Sequence, residues 1–269
     1  MKSVLPVLFL SAVVLSTAQA APISGQGTWE TTLQARDADG IVATTEAWYD
    51  TALNITWLAN ANLAATNTFG VAGISTSPPS GVGETGRMTW DTAQLFIGAM
   101  NTSAYLGVTA WRLPNLVDIG NDGCLNTFAF AGGTDCGYNT VSTGANASEM
   151  SSMFYQTLAN LAFFDTSGFS PVPGYGLANS GPFSNLQDAG LYWYGQSLVT
   201  DATRAWYFGM PSGGQRARLK NATGISALGP VWAVASGDVF AAVPVPAAAW
   251  LLGSALGVLG LRKRRLGAA

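Results

Sequence analysis

Apolar residues recur along this chain in more than one rhythm. Across residues 47–59 (AWYDTALNITWLA) aromatic and polar positions alternate on either side of a turn. That period of two predicts a β-hairpin with Trp48 and Trp57 in the core. A stretch rich in Gly, Ser and Pro over 70–86 reads as a loop. The rhythm then changes: Ala93, Phe96, Ile97 and Met100 stand at i, i+3, i+4 and i+7. This spacing predicts an amphipathic helix, with Thr89 as its N-cap and Asp91 favouring its dipole. In the Trp111-Arg112-Leu113-Pro114 element that follows, Pro114 suits the first turn of a second, short helix.

Residues 120–147 are irregular and rich in Gly, Asn and Thr. Met150, Met153, Phe154, Leu158 and Leu161 then mark the core-facing stripe of a helix over 149–162. Residues 171–190 return to loop. Short aromatic or alternating runs at 191–194, 204–208, 215–220 and 231–235, split by glycine, predict strands. The polar, mixed residues 21–46 open with a strand or two. With no internal repeat, the expectation is one α+β domain of about 215 residues, a size that a single core supports.

Both ends follow other rules. Residues 1–20 read as a secretory signal: Lys2 is the positive start, 4–14 an apolar run, and Ala18-Gln19-Ala20 a small-x-small cleavage site. Ala21 is then the mature N-terminus. Near the other end, residues 247–261 are apolar and uncharged, and Arg262-Lys263-Arg264-Arg265 follows at once. Extended back to Val243, the run approaches the ~20 residues that span a bilayer. The basic cluster acts as a stop-transfer signal and stays cytoplasmic by the positive-inside rule, so the N-terminal side faces the periplasm. The chain divides into signal peptide (1–20), exported domain (21–238), a linker with a Pro motif (239–246), and a transmembrane helix with basic tail (247–269).

Setting the ends aside changes the charge balance. Residues 21–238 carry seven basic and fifteen acidic residues, a net charge of −8. So acidic a domain does not track a phosphate backbone, which argues against nucleic acid as a partner. Eleven residues separate Cys124 from Cys136. In an oxidising compartment the pair reads as a disulfide, worth ~3 kcal/mol through unfolded-state entropy; two free thiols are the alternative. There is no histidine. Ser-His-Asp and Cys-His catalysis, histidine general bases and imidazole zinc sites are thereby excluded.

Two parts of the sequence resemble known families. Val243-Pro244-Val245-Pro246-Ala247, the span behind it and the Arg-rich end occur in the order of a PEP-CTERM sorting signal. The tail resembles its VPLPA-CTERM variant, with Val245 where Leu is usual. The two prolines keep this stretch extended and free of helix. The resemblance implies processing by an exosortase in a bacterium that makes exopolysaccharide. It implies transient anchoring in the inner membrane, then a place on the cell surface or in the extracellular matrix.

The body resembles the DUF1566 domain, also called the Lcl C-terminal domain. The matching pieces are LNITWL from Leu53, MTWDTA from Met88, AWRLPN from Ala110, Tyr192-Trp193, AWYF from Ala205, and residues 231–237. Trp111-Arg112-Leu113-Pro114 is the most specific of them. Asp118-Ile119 stands where the family often has Glu-Leu. The resemblance implies a C-type-lectin-like fold: two or three helices packed on small antiparallel sheets with long loops.

Candidate chemistry is sparse. The loop motifs of calcium-dependent lectins (Glu-Pro-Asn, Gln-Pro-Asp, Trp-Asn-Asp) do not occur. Asp118, Asn121, Asp122 and Asp135 cluster near the cysteine loop and offer oxygen ligands for calcium, against the commoner role of such residues in turns. Tyr192, Trp193, Tyr194, Trp206 and Tyr207 are dense enough for a sugar-stacking platform, although strand alternation turns about half of them inward. Arg112 is expected in a structural ion pair with Asp91 or Asp118. Arg216, Arg218 and Lys220 share one face of their strand and read as a solvated edge that discourages strand pairing. The expectation is a non-enzymatic surface or matrix protein that binds polysaccharide or another surface component. A carboxylate-based extracellular hydrolase and a purely structural matrix protein are the alternatives.

Overall fold

The structure is a computed structural model that describes residues 20–41, 43–76, 85–117, 136–140, 148–165, 171–188, 190–222, 224 and 227–240. Strands β1 (Leu33–Arg36), β2 (Ala47–Asp50), β3 (Ile55–Leu58) and β7 (Val234–Ser236) form an antiparallel sheet in the order β1-β2-β3-β7. The expected hairpin is β2–β3, with Trp48 opposite Trp57. Asp50 closes its turn by accepting from the Ala52 and Leu53 amides at 2.9 and 3.2 Å. Asn54 takes the left-handed backbone (φ 53°), which a short polar side chain tolerates.

The second antiparallel sheet is β4 (Leu191–Leu198), β5 (Asp201–Gly209) and β6 (Gly214–Leu219), in that order. Its two faces serve two apolar clusters. Tyr192, Tyr194, Trp206, Phe208 and Ala217 join Trp57, Trp232 and Phe154. The alternate residues Leu191, Trp193 and Ala205 join Phe96, Met100, Trp111 and Ala233. Burial on both faces explains why β4 reads as a continuous aromatic run.

Helix α2 (Trp90–Thr102) forms as expected: Thr89 Oγ1 accepts from the Thr92 amide, and Ala93, Phe96, Ile97 and Met100 are buried. Three expectations need correction. Pro114 does not start a helix. The Arg112 amide donates to Val234 O and the Val234 amide donates to Arg112 O, at 2.8 and 2.9 Å, so the segment is drawn out along β7. The helix over 149–162 is shorter: α3 (Glu149–Ser152) runs into one wide turn, Met153–Thr157. Ala159 then turns left-handed (φ 50°), and Leu161 is 46% exposed, bridged to Gly176. Finally, residues 21–46 open with the helical turn α1 (Trp29–Thr32) before β1.

The molecule is thus a small α+β fold with few helices and two antiparallel sheets. Among the described residues, no helix is long and apolar enough to cross a membrane. The signal residues 1–19, the sorting motif Val243–Ala247 and the tail through Arg262, Lys263, Arg264 and Arg265 lie outside the described residues.

Candidate functional site

The β5–β6 hairpin builds the floor of a groove. Tyr207 stands opposite Arg216, and Gly209 opposite Gly214, so the outer face near the turn carries no side chain beyond that first pair. The Gly213 amide donates to Gly209 O at 2.8 Å, closing the turn. Gly213 has φ 77°, and a Cβ there would strike the Tyr155 ring. The Tyr155 hydroxyl instead donates to Gly213 O at 2.8 Å.

Two segments form the walls. The Phe163 amide donates to Ser212 O and the Val172 amide to Phe163 O, at 2.9 and 2.8 Å, which ties residues 161–165 and 171–176 to the turn. Gly137 and Gln215 exchange both backbone bonds, at 2.9 and 2.7 Å, which ties residues 136–138 to β6. The three pieces enclose about 520 Å³, lined by Tyr138, Phe163, Phe164, Tyr175, Tyr207 and Arg216 above the glycine floor.

The rings meet edge to face, the preferred aromatic geometry. Phe163 lies 4.6 Å from Phe164 and 4.5 Å from Tyr175, centroid to centroid, and Tyr138 lies 6.2 Å from Phe164. Tyr175 is 44% exposed and forms the lip. Burial raises the Tyr138 hydroxyl above the ordinary tyrosine range, against the pull of the Arg216 charge. It stays protonated at neutral pH and offers a neutral hydroxyl. Arg216 is the charged residue of the lining.

The sequence pointed only in part to these residues. Of the proposed aromatic platform, Tyr192, Trp193, Tyr194 and Trp206 are fully buried, and Tyr207 alone reaches the groove. Tyr138, Phe163, Phe164 and Tyr175 sit in segments with no periodic signal, and sequence reasoning missed them. Arg216, Arg218 and Lys220 do share a face, but they are half-buried rather than fully solvated. The Arg218 guanidinium lies over the Tyr207 ring (5.2 Å), and the Lys220 ammonium over Trp90 (4.4 Å).

Arg112 does not pair with Asp91, and Asp118 lies outside the described residues. Its two terminal nitrogens hold the Glu149 carboxylate at 2.8 and 2.7 Å, and Glu149 also accepts from the Asn115 amide at 2.7 Å. The correction follows from the extended Trp111–Pro114 segment, which carries Arg112 past the start of α3. Trp111 and Leu113 are core residues.

Cys136 is buried and disulfide-bonded, and Cys124 lies outside the described residues. So do Asp118, Asn121, Asp122 and Asp135, the expected calcium ligands. The described residues bring a different acidic group together: oxygens of Asp37, Asp39 and Glu46 lie within 4.8 Å of one another. Asp37 accepts from the Asp39 and Gly40 amides, and Glu46 from the Ala38 amide, so this cluster organises its own turn. Compared with protein-family models, curated proteins and solved structures, the chain matches none of them.

Proposed function

We propose that this is an exported protein of the cell surface or extracellular matrix that binds polysaccharide through the aromatic groove. One observation carries the reading: the groove combines flat aromatic faces, phenolic hydroxyls and an arginine around a floor of two glycines. Ligand sites are typically apolar concavities with a few placed polar groups. Sugar rings present C–H faces that stack on aromatics and hydroxyl edges that seek such groups. Glycoside hydrolysis needs two facing carboxyl groups, and none of the described lining residues supplies one, so the groove favours binding over the hydrolase alternative.

The rest of the reading is carried by the sequence. The signal at residues 1–20 directs export, and the tail from Val243 places the chain in the inner membrane until an exosortase processes it. The DUF1566 resemblance and the long irregular connections around two small sheets suit a C-type-lectin-like variant. No metal is required at the groove itself.

Isothermal titration with the producing cell's own polysaccharide tests this. The purified protein binds, and binding survives a chelator. Tyr175→Ala and Phe163→Ala each weaken it about tenfold or more, ~1.4 kcal/mol, with unchanged circular dichroism. Equal affinity in these variants removes the groove as the site, and no binding to any polysaccharide removes the function.

A further inference from the structure

The groove opens onto a row of cations. Arg216 and Arg218 occupy alternate positions of β6 and Lys220 follows its last residue in the same alternation, so they succeed one another at roughly 7 Å along one side. Arg216 lines the groove, Arg218 covers the Tyr207 ring, and Lys220 covers Trp90 at the start of α2. The row therefore begins inside the groove and leaves it along the strand. It holds three of the seven basic residues in a region whose net charge is −8.

Protection of a bare sheet edge does not account for this arrangement. Next to Arg216, the β6 backbone is already paired at Gln215 by Gly137. A single exposed charge also suffices to discourage edge pairing, without seating on a ring. A cation held over an aromatic face has less freedom to lose when an anion arrives.

We infer that the ligand is an acidic polysaccharide, whose carboxylate-bearing sugars run from the groove along β6 towards Trp90. This rests on the reading of the groove as a saccharide site. A sugar ring stacks against Tyr175 and Phe163 while its carboxylate meets the Arg216 guanidinium, and the following acids meet Arg218 and Lys220. A guanidinium has five donors, so one already bonded within the protein still recognises a carboxylate. A phosphate polymer would find the same cations and rings. The aromatic groove at the head of the row, read as a saccharide site, favours the sugar acid.

The test uses the full chain, immobilised in chelator-containing buffer, with three probes: polygalacturonate, its fully methyl-esterified form, and a single-stranded oligonucleotide of equal charge. Polygalacturonate should bind at least about tenfold more tightly than the ester, and its affinity should fall as salt rises. Arg218→Gln with Lys220→Gln should remove most of that preference, leaving the share that Arg216 supplies, with circular dichroism and ester binding unchanged. Arg218→Lys, which keeps the charge, should retain most of the preference. Equal binding of acid and ester, or an unaffected double variant, overturns the inference and leaves the groove reading in place. Oligonucleotide binding as tight as that of polygalacturonate also overturns it. No binding of either polymer overturns the inference, and the titration with the cell's own polysaccharide then decides the groove reading.

Discussion

At the scale of single residues, polar side chains that the hydropathy pattern cannot flag hold irregular segments in place. Asn179 is fully buried, and its oxygen accepts from the Ile23 and Gly181 amides at 2.9 and 3.0 Å. Its nitrogen donates to Gln26 O and Leu158 O at 3.2 and 2.9 Å. One side chain thus joins the N-terminal segment to the end of the α3 turn. Asn179→Ala removes these four bonds, two of them buried, and should cost about 2–4 kcal/mol in urea denaturation. Hydrogen exchange should rise first in residues 21–28; uniform exchange across the chain would show that Asn179 is no clamp. The Arg112–Glu149 pair calls for the same logic. Arg112→Ala strands a buried carboxylate and should cost about 3–5 kcal/mol, whereas Arg112→Met with Glu149→Leu should cost clearly less. If the double variant is the worse of the two, the pair itself is the source of stability.

At the scale of elements, legibility tracks how local the determining interaction is. Helix α2 was readable because its cap, its acidic first turn and its apolar stripe all lie within its own residues. Thr89→Ala removes the cap and should lower stability by about 1 kcal/mol in thermal unfolding. A change near zero would place the helix's stability in packing alone. The β2–β3 hairpin was readable for the same reason, through alternation around one turn. Pro114 misled because its local preference for a helix start lost to backbone bonds with Val234, more than a hundred residues away. The stripe over 149–162 misled at its far end, where Asn160 accepts from the Ala178 and Asn179 amides and ends the helical path. The groove was least legible of all. It is assembled from a hairpin turn and two irregular segments whose aromatics have no period, and of its large side chains only Tyr207 and Arg216 sit on strands.

At the scale of the whole molecule, two aspartates at the first sheet give stability opposite dependences on pH. Asp238 follows β7, and the Arg36 guanidinium on β1 grips it at 2.8 and 2.7 Å. That hydrogen bonding holds its carboxyl below the usual carboxylate range. A depressed folded value means stability that is present above the ordinary value of ~3.9 and lost as pH falls through the folded one. Asp50, at the end of β2, is fully buried, and burial pushes its carboxyl above the usual range despite the Leu53 and Ala52 amides and the Trp57 indole. A raised folded value has the reverse sign: the protein is relatively more stable below the ordinary value and loses that advantage as pH rises through the folded one. Urea midpoints of wild type, Asp238→Asn and Asp50→Asn between pH 3 and 7 separate the two. The margin of wild type over Asp238→Asn should shrink as pH falls. The margin over Asp50→Asn should grow along the same descent. Parallel curves for all three proteins would mean that neither carboxyl titrates differently in the folded and unfolded chains. The chain crosses both environments within one sheet, so opposite slopes would show that burial penalises the charged carboxylate of Asp50 in β2 while the charged carboxylate of Asp238 supports the β1–β7 link.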